Sequence, residues 1–514
     1  MFLMFLVFAT TGCALYLWLL SELSESKTRL PGPMQFPLVG SMIQVITTHP
    51  VGFIAIDKLS QIYGDAMSIK LGIVDCVFVS SYESVKYFYG GENCVDRPGT
   101  GIWLERQFYK KIRVLSANGP SAWGEMRKFI TQSWSSCGPM NRDWLRGILK
   151  EEVTSFLKYV EELASSSPGR VVPFKASGFV KVSFTNLLTA TLVGKRHENY
   201  GDKKLLGLVA ALDKFFRASR IGISVMTAYP WLRFLFGRYF GYHTQLESVA
   251  GIHKYSKELI SQRRKLGVYK NGEPTCFIDA FLQRIESEKE NAHLFSNEAL
   301  LVTLADFYTA GTETSSNWLL FAILLLMTHP EKQEKLYQEL RVKVGNRPIE
   351  LEDRNELIYT QAVILEVFRW GKVTVNLESR QAIRDFEYNG RIVKKGTTIL
   401  ANMCRVYNTP NVWKDPQVFR PERFINEDGQ LIKEKAERII PFGLGKRICL
   451  GEMLAKDSGF MYLTTLVQKY RFELPHEYLR NPPSLELIEG ITTCVADYNA
   501  KLVKRETNTQ TICY

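Results

Sequence analysis

At 514 residues, with 46% apolar and 12% aromatic side chains, the chain can bury one large core or two to three ordinary ones, and a charged fraction of 23% argues against a disordered class. The net charge of +12 comes from Lys and Arg spread along the chain, without a dense run, zinc-finger spacing or basic-zipper pattern, so no nucleic-acid partner is expected. Nine irregularly spaced cysteines, with no C-x-x-C, argue against a disulfide framework and suit a reducing compartment; Cys76, Cys94, Cys137, Cys276, Cys404 and Cys494 read as packing thiols.

The first 22 residues carry no charge before Glu22. About 19–20 apolar or small residues form a helix of roughly 30 Å, one hydrocarbon thickness. A cleaved secretory signal competes with this reading, but no basic residue precedes the run, and the run is long. Lys27 and Arg29 follow it and put the body on the cytosolic side. The expectation is a transmembrane anchor over 1–22. A hinge follows over 23–34, where "LPGP" (30–33) stops a helix and stiffens a turn.

The body runs from 35 to 505 with a short tail over 506–514. "DAMSIKLG" and "DCVFVSS" (65–81) alternate like two strands. From about 120 to 345 the apolar period is helical, broken at "SSSPG" (165–169) and "GVYKNGEPT" (267–275). "SAWGEMRKF" sets Trp123 and Arg127 on one helix face. "NWLLFAILLLM" (317–327) is too short to span a bilayer and reads as a buried helix segment. Gly311 interrupts the pattern just before it, which predicts one long helix with a local distortion. "NGRIVKKGTTILANM" (389–403) reads as a hairpin and "YNTPNVWKDPQVFRPERF" (407–424) as an ordered irregular loop. The fold class is mainly α with small β-sheets, in one large domain.

"PFGLGKRICLGEMLAK" (441–456) is the stretch with the most chemistry. Gly443 and Gly445 allow positive φ and remove side chains beside a flat group. Lys446 and Arg447 are cations near Cys449. The helical pattern after Gly451 puts the thiol just before a helix N-terminus, where backbone N–H groups favour an anion. Those are the needs of a thiolate that ligates iron.

Phe442, Gly445, Arg447, Cys449 and Gly451 fit F-x-x-G-x-R-x-C-x-G, and here the sequence resembles the cytochrome P450 family. The resemblance implies the fold of that family and haem b, with Cys449 as axial iron ligand. It extends to "ILEVFR" and "FRPERF", whose Glu366, Arg369 and Arg423 the family joins into a network behind the cysteine loop. It implies haem-propionate donors at Trp123, Arg127, Arg380 and Arg447, with Phe442, Gly451 and Ala310 also against the cofactor. "ADFYTAGTETSSNW" (305–318) resembles the family's A-G-x-E-T helix, which implies a notch over the haem at Gly311. There Thr314 supports bound dioxygen and Glu313 relays protons from solvent. Asp306, Thr309, Val375 and Ile491 are the implied substrate-pocket positions.

"VDRP" (95–98) and "NLLTATLVGKRHENY" (186–200) resemble the microsomal clan of drug, steroid and hormone hydroxylases, with an arthropod member the nearer likeness. That implies an endoplasmic-reticulum enzyme, anchored once, with a cytosolic catalytic domain. It would insert one oxygen atom from O2 into a lipophilic small molecule such as a steroid, terpenoid hormone or xenobiotic. Electrons would come from NADPH through cytochrome P450 reductase, with cytochrome b5 as a second donor, and Lys446 and Lys456 would line the face toward an acidic partner. Departures are Thr309 where relatives carry Gly or Ala, Lys394 in "VKKGT", "YNTP", and L-P-G-P at the hinge. A peroxide isomerase or dehydratase of the same fold would lose the acid–alcohol pair, and a haem sensor or lipid carrier would not need it. The substrate-setting loops are expected around 97–121, 210–230, 374–377 and 490–493.

Overall fold

The computed structural model describes residues 2–99, 120–138, 141–175, 178–288 and 293–506, without the side chains of 2–12, 14, 15, 120–122, 219–224 and 271. Most of the loop expected over 97–121, and the tail beyond 506, lie outside the described residues.

Helix α1 (Phe2–Thr28) is continuous and runs six residues past the expected end of the anchor. Among the described residues no helix is long and apolar enough to cross a membrane. The expected hinge is not a free joint. Arg29 donates to both carboxylate oxygens of Glu22 at 2.5 and 2.7 Å, and the Gln35 N–H donates to Glu22 Oε1 at 3.0 Å. The Ser68 N–H donates to Pro31 O at 2.8 Å. A β-carbon on Gly32 would fall 1.8 Å from Ser68 O, so only glycine lets this segment lie on the strand behind it.

After α2 (Met42–Thr48) and α3 (Gly52–Tyr63), strands β1 (Ala66–Leu71) and β2 (Val74–Val79) form the expected antiparallel pair, Ala66 opposite Val79. Helix α4 (Tyr82–Gly90) follows. The helical body comprises α5 (Pro120–Cys137), α6 (Arg142–Ser166), α7 (Phe179–Val193), α8 (Lys203–Ala228), α9 (Tyr242–Leu266) and α10 (Phe277–Ser287). The expected breaks fall where helices end. Helix α6 stops at Ser166, and Gly267, in the left-handed region at φ 65°, ends α9. Strand β3 (Val171–Phe174) was not legible, because four residues with one proline carry no period.

Helix α11 (Asn297–Thr328) is one unbroken helix, about 48 Å long. Ser296 caps it by accepting from the Ala299 N–H at 3.1 Å. Its run from Ser316 to Met327 is buried on all sides, and the largest apolar cluster forms around it. The expected distortion at Gly311 is absent: the helix is α throughout. Helices α12 (Pro330–Lys343) and α13 (Ile358–Gly371) pack beside it.

The hairpin expected over 389–403 forms elsewhere. Asn389 and Gly390, both at positive φ (50° and 72°), are the turn between β5 (Phe386–Tyr388) and β6 (Arg391–Val393). Strand β7 (Thr398–Ala401) instead runs parallel to β2 and antiparallel to β4 (Arg380–Gln381), which gives the sheet order β1-β2-β7-β4. Helix α14 (Glu452–Lys469) leads into β8 (Tyr470–Glu473), which pairs with β9 (Tyr498–Lys504) and, through it, β3.

Candidate active site

The loop before α14 is held by its own backbone. The Cys449 N–H donates to Phe442 O at 2.9 Å, and Ile448 N–H to Gly445 O at 3.0 Å, across a single 3-10 turn. Gly443 (φ 75°) and Gly445 (φ 70°) both sit in the left-handed region, but for different ends. A β-carbon on Gly445 would stand 2.5 Å from Tyr89 O, so this glycine lets the loop close on the end of α4. Nothing lies within 4 Å of that position on Gly443, which faces a cavity.

Cys449 lines that cavity and its side chain is exposed there. Burial pushes its thiol above the ordinary value; the Gly451 and Glu452 N–H groups and Arg127 pull it back, and the Glu452 carboxylate opposes them. The nearby cation is therefore Arg127, not Lys446 as the chain order suggested. Lys446 is exposed and paired with Glu92 at 2.6 Å, and Lys456 is paired with Glu452 at 2.6 Å. The basic face expected for an acidic partner thus already carries its own carboxylates.

The cavity, about 420 Å³, brings together Cys449, Phe442, Gly443, Arg447 and Gly451 from the loop and Asp306, Thr309, Ala310 and Thr314 from α11. Trp123 and Arg127 reach it from α5, Arg380 from β4 and Ile491 from the C-terminal loop. Val375 does not line it. Its side chain is buried and its carbonyl accepts from the Met403 N–H at 2.9 Å, while its neighbours Thr374 and Asn376 face the cavity. Phe215 and Phe216 of α8 complete the apolar wall.

Gly311 lines the cavity and also meets a neighbouring helix. A β-carbon there would meet Leu188 Cδ1 of α7 at 2.9 Å, so the glycine lets α7 close on α11. The Thr309 hydroxyl donates back to Ala305 O at 2.8 Å, and that of Thr314 to Ala310 O at 2.7 Å. Each leaves oxygen lone pairs on the cavity side of α11. Glu313 is turned away. It does not line the cavity but lies 2.5 Å from Lys181 Nζ of α7, and Lys181 also binds Asp213 of α8. Burial alone would depress the Lys181 ammonium; Glu313 and Asp213 outweigh it and raise its pKa above the ordinary value. Glu313, expected to relay protons from solvent, is thus held in an ion cluster whose Asp213 side chain is 15% exposed.

Among the described residues, four guanidinium groups line the same cavity: Arg97, Arg127, Arg380 and Arg447. Burial and the positive charge of Arg97 push both Arg380 and Arg447 down to about 9. Such crowding is relieved by anions. Trp123 Nε1 and Arg380 Nε are buried without a hydrogen-bond partner. Arg447 donates from Nε to Val95 O at 2.9 Å, and Arg380 from Nη2 to Leu444 O at 3.1 Å, which ties the cluster to the loop. An anionic ligand would relieve this crowding, and a haem carries two carboxylates. Arg97 had no such role in the sequence reading; the only signal was its place in "VDRP", where proline fixes an extended backbone.

Behind the loop, Arg369 donates two parallel bonds to Glu366, at 2.7 and 2.8 Å, and Arg423 donates to Glu366 Oε1 at 3.0 Å. All three are buried. Arg369 continues to Tyr407 O at 2.9 Å and Arg423 to Val418 O at 2.9 Å, so the cluster holds the irregular chain over 407–424. That chain reaches the cysteine loop through the Ile440 N–H, which donates to the Tyr407 hydroxyl at 2.9 Å.

Comparison with known proteins gives the family. The family model described as "Cytochrome P450" matches residues 30–493. Farnesoate epoxidase of Bombyx mori is 29% identical over 499 residues, covering 96% of this chain and 97% of that protein. Cytochrome P450 2J5 of Mus musculus is 30% identical, covering 92% and 91%, and cytochrome P450 2C8 of Homo sapiens 28%, covering 91% and 92%. A cysteine loop on the wall of a cavity, guanidinium groups crowded around the same cavity and relatives alike over nine tenths of their length all lead to one assignment: the chain belongs to the cytochrome P450 family of haem-thiolate monooxygenases.

Proposed function

We propose that this enzyme is anchored in the endoplasmic-reticulum membrane by α1 and oxygenates a lipophilic small molecule in the cavity under α11. The observation that carries the reading is one cavity holding Cys449, the four guanidiniums, Ala310, Gly311 and Thr314 together. Bound there, haem supplies O2 activation with two electrons delivered from NADPH by a reductase.

The chain's own residues do the rest. Cys449 would ligate the iron, whose positive charge would favour the thiolate against the upward pull of burial. Trp123, Arg97, Arg127, Arg380 and Arg447 would hold the propionates, while Phe442, Gly451 and Ala310 would pack against the ring. The Thr314 oxygen accepts a hydrogen bond from cavity water while its own proton stays on Ala310 O. Glu313 is the proton donor once freed from Lys181. Phe215, Phe216, Thr309 and Ile491 shape an apolar space for substrate, with the Asp306 carboxylate on its wall. A sesquiterpenoid acid or ester is the first class to try, since a farnesoate epoxidase aligns over nearly the whole chain.

The test is spectral and catalytic. The reduced protein with CO should show the absorption band of thiolate ligation, and Cys449→Ser should abolish it while haem is retained. A band unchanged in Cys449→Ser overturns the ligand. Turnover of farnesoate, steroids and xenobiotics with reductase and NADPH then assigns the substrate.

A further inference from the structure

Helix α7 is wholly buried, and within its apolar face stands one ammonium, Lys181, 1% exposed. An unpaired ammonium there would be costly, and this one faces two carboxylates from two other helices. Glu313 belongs to α11, next to Thr314 on the cavity wall. Asp213 belongs to α8, two residues before Phe215, and α8 puts Phe215 and Phe216 into the cavity. The Asp213 side chain is 15% exposed, so the cluster touches water only on the α8 side.

The one ammonium bridges both carboxylates, and with one positive charge against two negative ones the cluster carries a net negative charge. Two cations near the cluster are engaged elsewhere. Lys214 is paired with Glu247 of α9, and Glu152 of α6 with Arg196. The polar neighbours of Glu313 lead toward the cavity. Asn317 Nδ2 lies 3.4 Å from Glu313 Oε1 and 3.4 Å from the hydroxyl of Thr492, a cavity-wall residue.

We propose that Lys181 is a positioning residue for proton delivery: it holds Glu313 out of the cavity, and Asp213 draws it away when substrate shifts α8 through Phe215 and Phe216. This rests on the monooxygenase reading above. Freed, the Glu313 carboxylate takes one proton from solvent and passes it to water beside Thr314, returning to the carboxylate form. Lys181 keeps its three protons, and no electron moves within the cluster. The release of Glu313 thereby follows substrate occupancy, which restrains wasteful reduction of O2.

The test uses the full-length haem protein with Lys181→Met, Lys181→Arg and Asp213→Asn. Lys181→Met should raise substrate-free NADPH consumption roughly tenfold, and Lys181→Arg should restore the restraint. Asp213→Asn should slow product formation roughly tenfold and enlarge its solvent deuterium isotope effect, while hydroperoxide-driven turnover, which needs no proton delivery, stays within about twofold. If both variants change only thermal stability and leave coupling and isotope effect as in the wild type, the cluster is a clamp and the proposal is wrong. Amide exchange gives a readout independent of turnover: Lys181→Met should speed exchange around Asp213 several-fold, and unchanged exchange refutes the proposal. Wild-type protein that makes no product with NADPH and reductase would instead sink the monooxygenase reading, and the exchange experiment still decides Lys181.

Discussion

The guanidinium of Arg447 lies over the indole of Trp123, 4.2 Å from the ring centroid, while the indole N–H beneath it has no acceptor. The ring thus does two separable jobs. It stacks a cation and offers a donor to a ligand. Trp123→Phe keeps a ring for the stack and removes the donor. We expect folding stability to fall by about 1 kcal/mol or less while haem passes to an acceptor globin several-fold faster. Equal haem retention would show that the N–H serves no ligand.

The two loop glycines should respond differently to alanine. At Gly445 the added carbon meets the Tyr89 carbonyl at 2.5 Å, a backbone atom that cannot yield without moving α4. At Gly443 it meets nothing within 4 Å. Gly443→Ala should cost about 1–2 kcal/mol of left-handed strain and remain folded. Gly445→Ala should displace the loop and lose the thiolate spectrum. Thermal melting and the reduced-CO spectrum check both, and equal behaviour of the two variants would contradict the packing described.

Asp279 gives a prediction in pH. It is buried in the first turn of α10 and bound by Arg263 from the end of α9, with Arg263 Nε to Oδ1 at 2.8 Å. Burial alone would raise its carboxyl; hydrogen bonds from Arg263 and Thr275 outweigh it and hold it below the ordinary value. Between the two values the unfolded chain binds the extra proton, so stability rises with pH there. The contribution is present above about pH 4 and is lost as pH falls through the lowered folded-state value. Asp279→Asn should cost about 3 kcal/mol at pH 7, with the difference shrinking toward zero in strong acid. Urea melts at several pH values measure it.

What was legible in the sequence was local. The cysteine loop, the β1–β2 pair and the stops of α6 and α9 were each written within a few residues, by spacing, alternation or a glycine. What was not legible depended on distant segments. Glu313 reads as a solvent relay until α7 and α8 bring Lys181 and Asp213 to it. Arg97 reads as part of a loop until β4 and the cysteine loop set Arg380 and Arg447 nearby. Val375 and Thr374 differ by one position, and no period in that short irregular stretch tells which faces inward. The 389–403 hairpin failed because its turn, Asn389–Gly390, starts the stretch rather than centring it.

The Glu22 contacts have a practical consequence. Its carboxylate is shared by Arg29 and the Gln35 amide, so the end of α1 is built into the body. A shortened version designed to remove the apolar leader should begin before Glu22, not at the prolines. Replacing the leader upstream should leave the body intact. Inserting one residue between Glu22 and Arg29 would rotate the helix by about 100° and break the clasp, so the length of this segment is as fixed as that of any core helix.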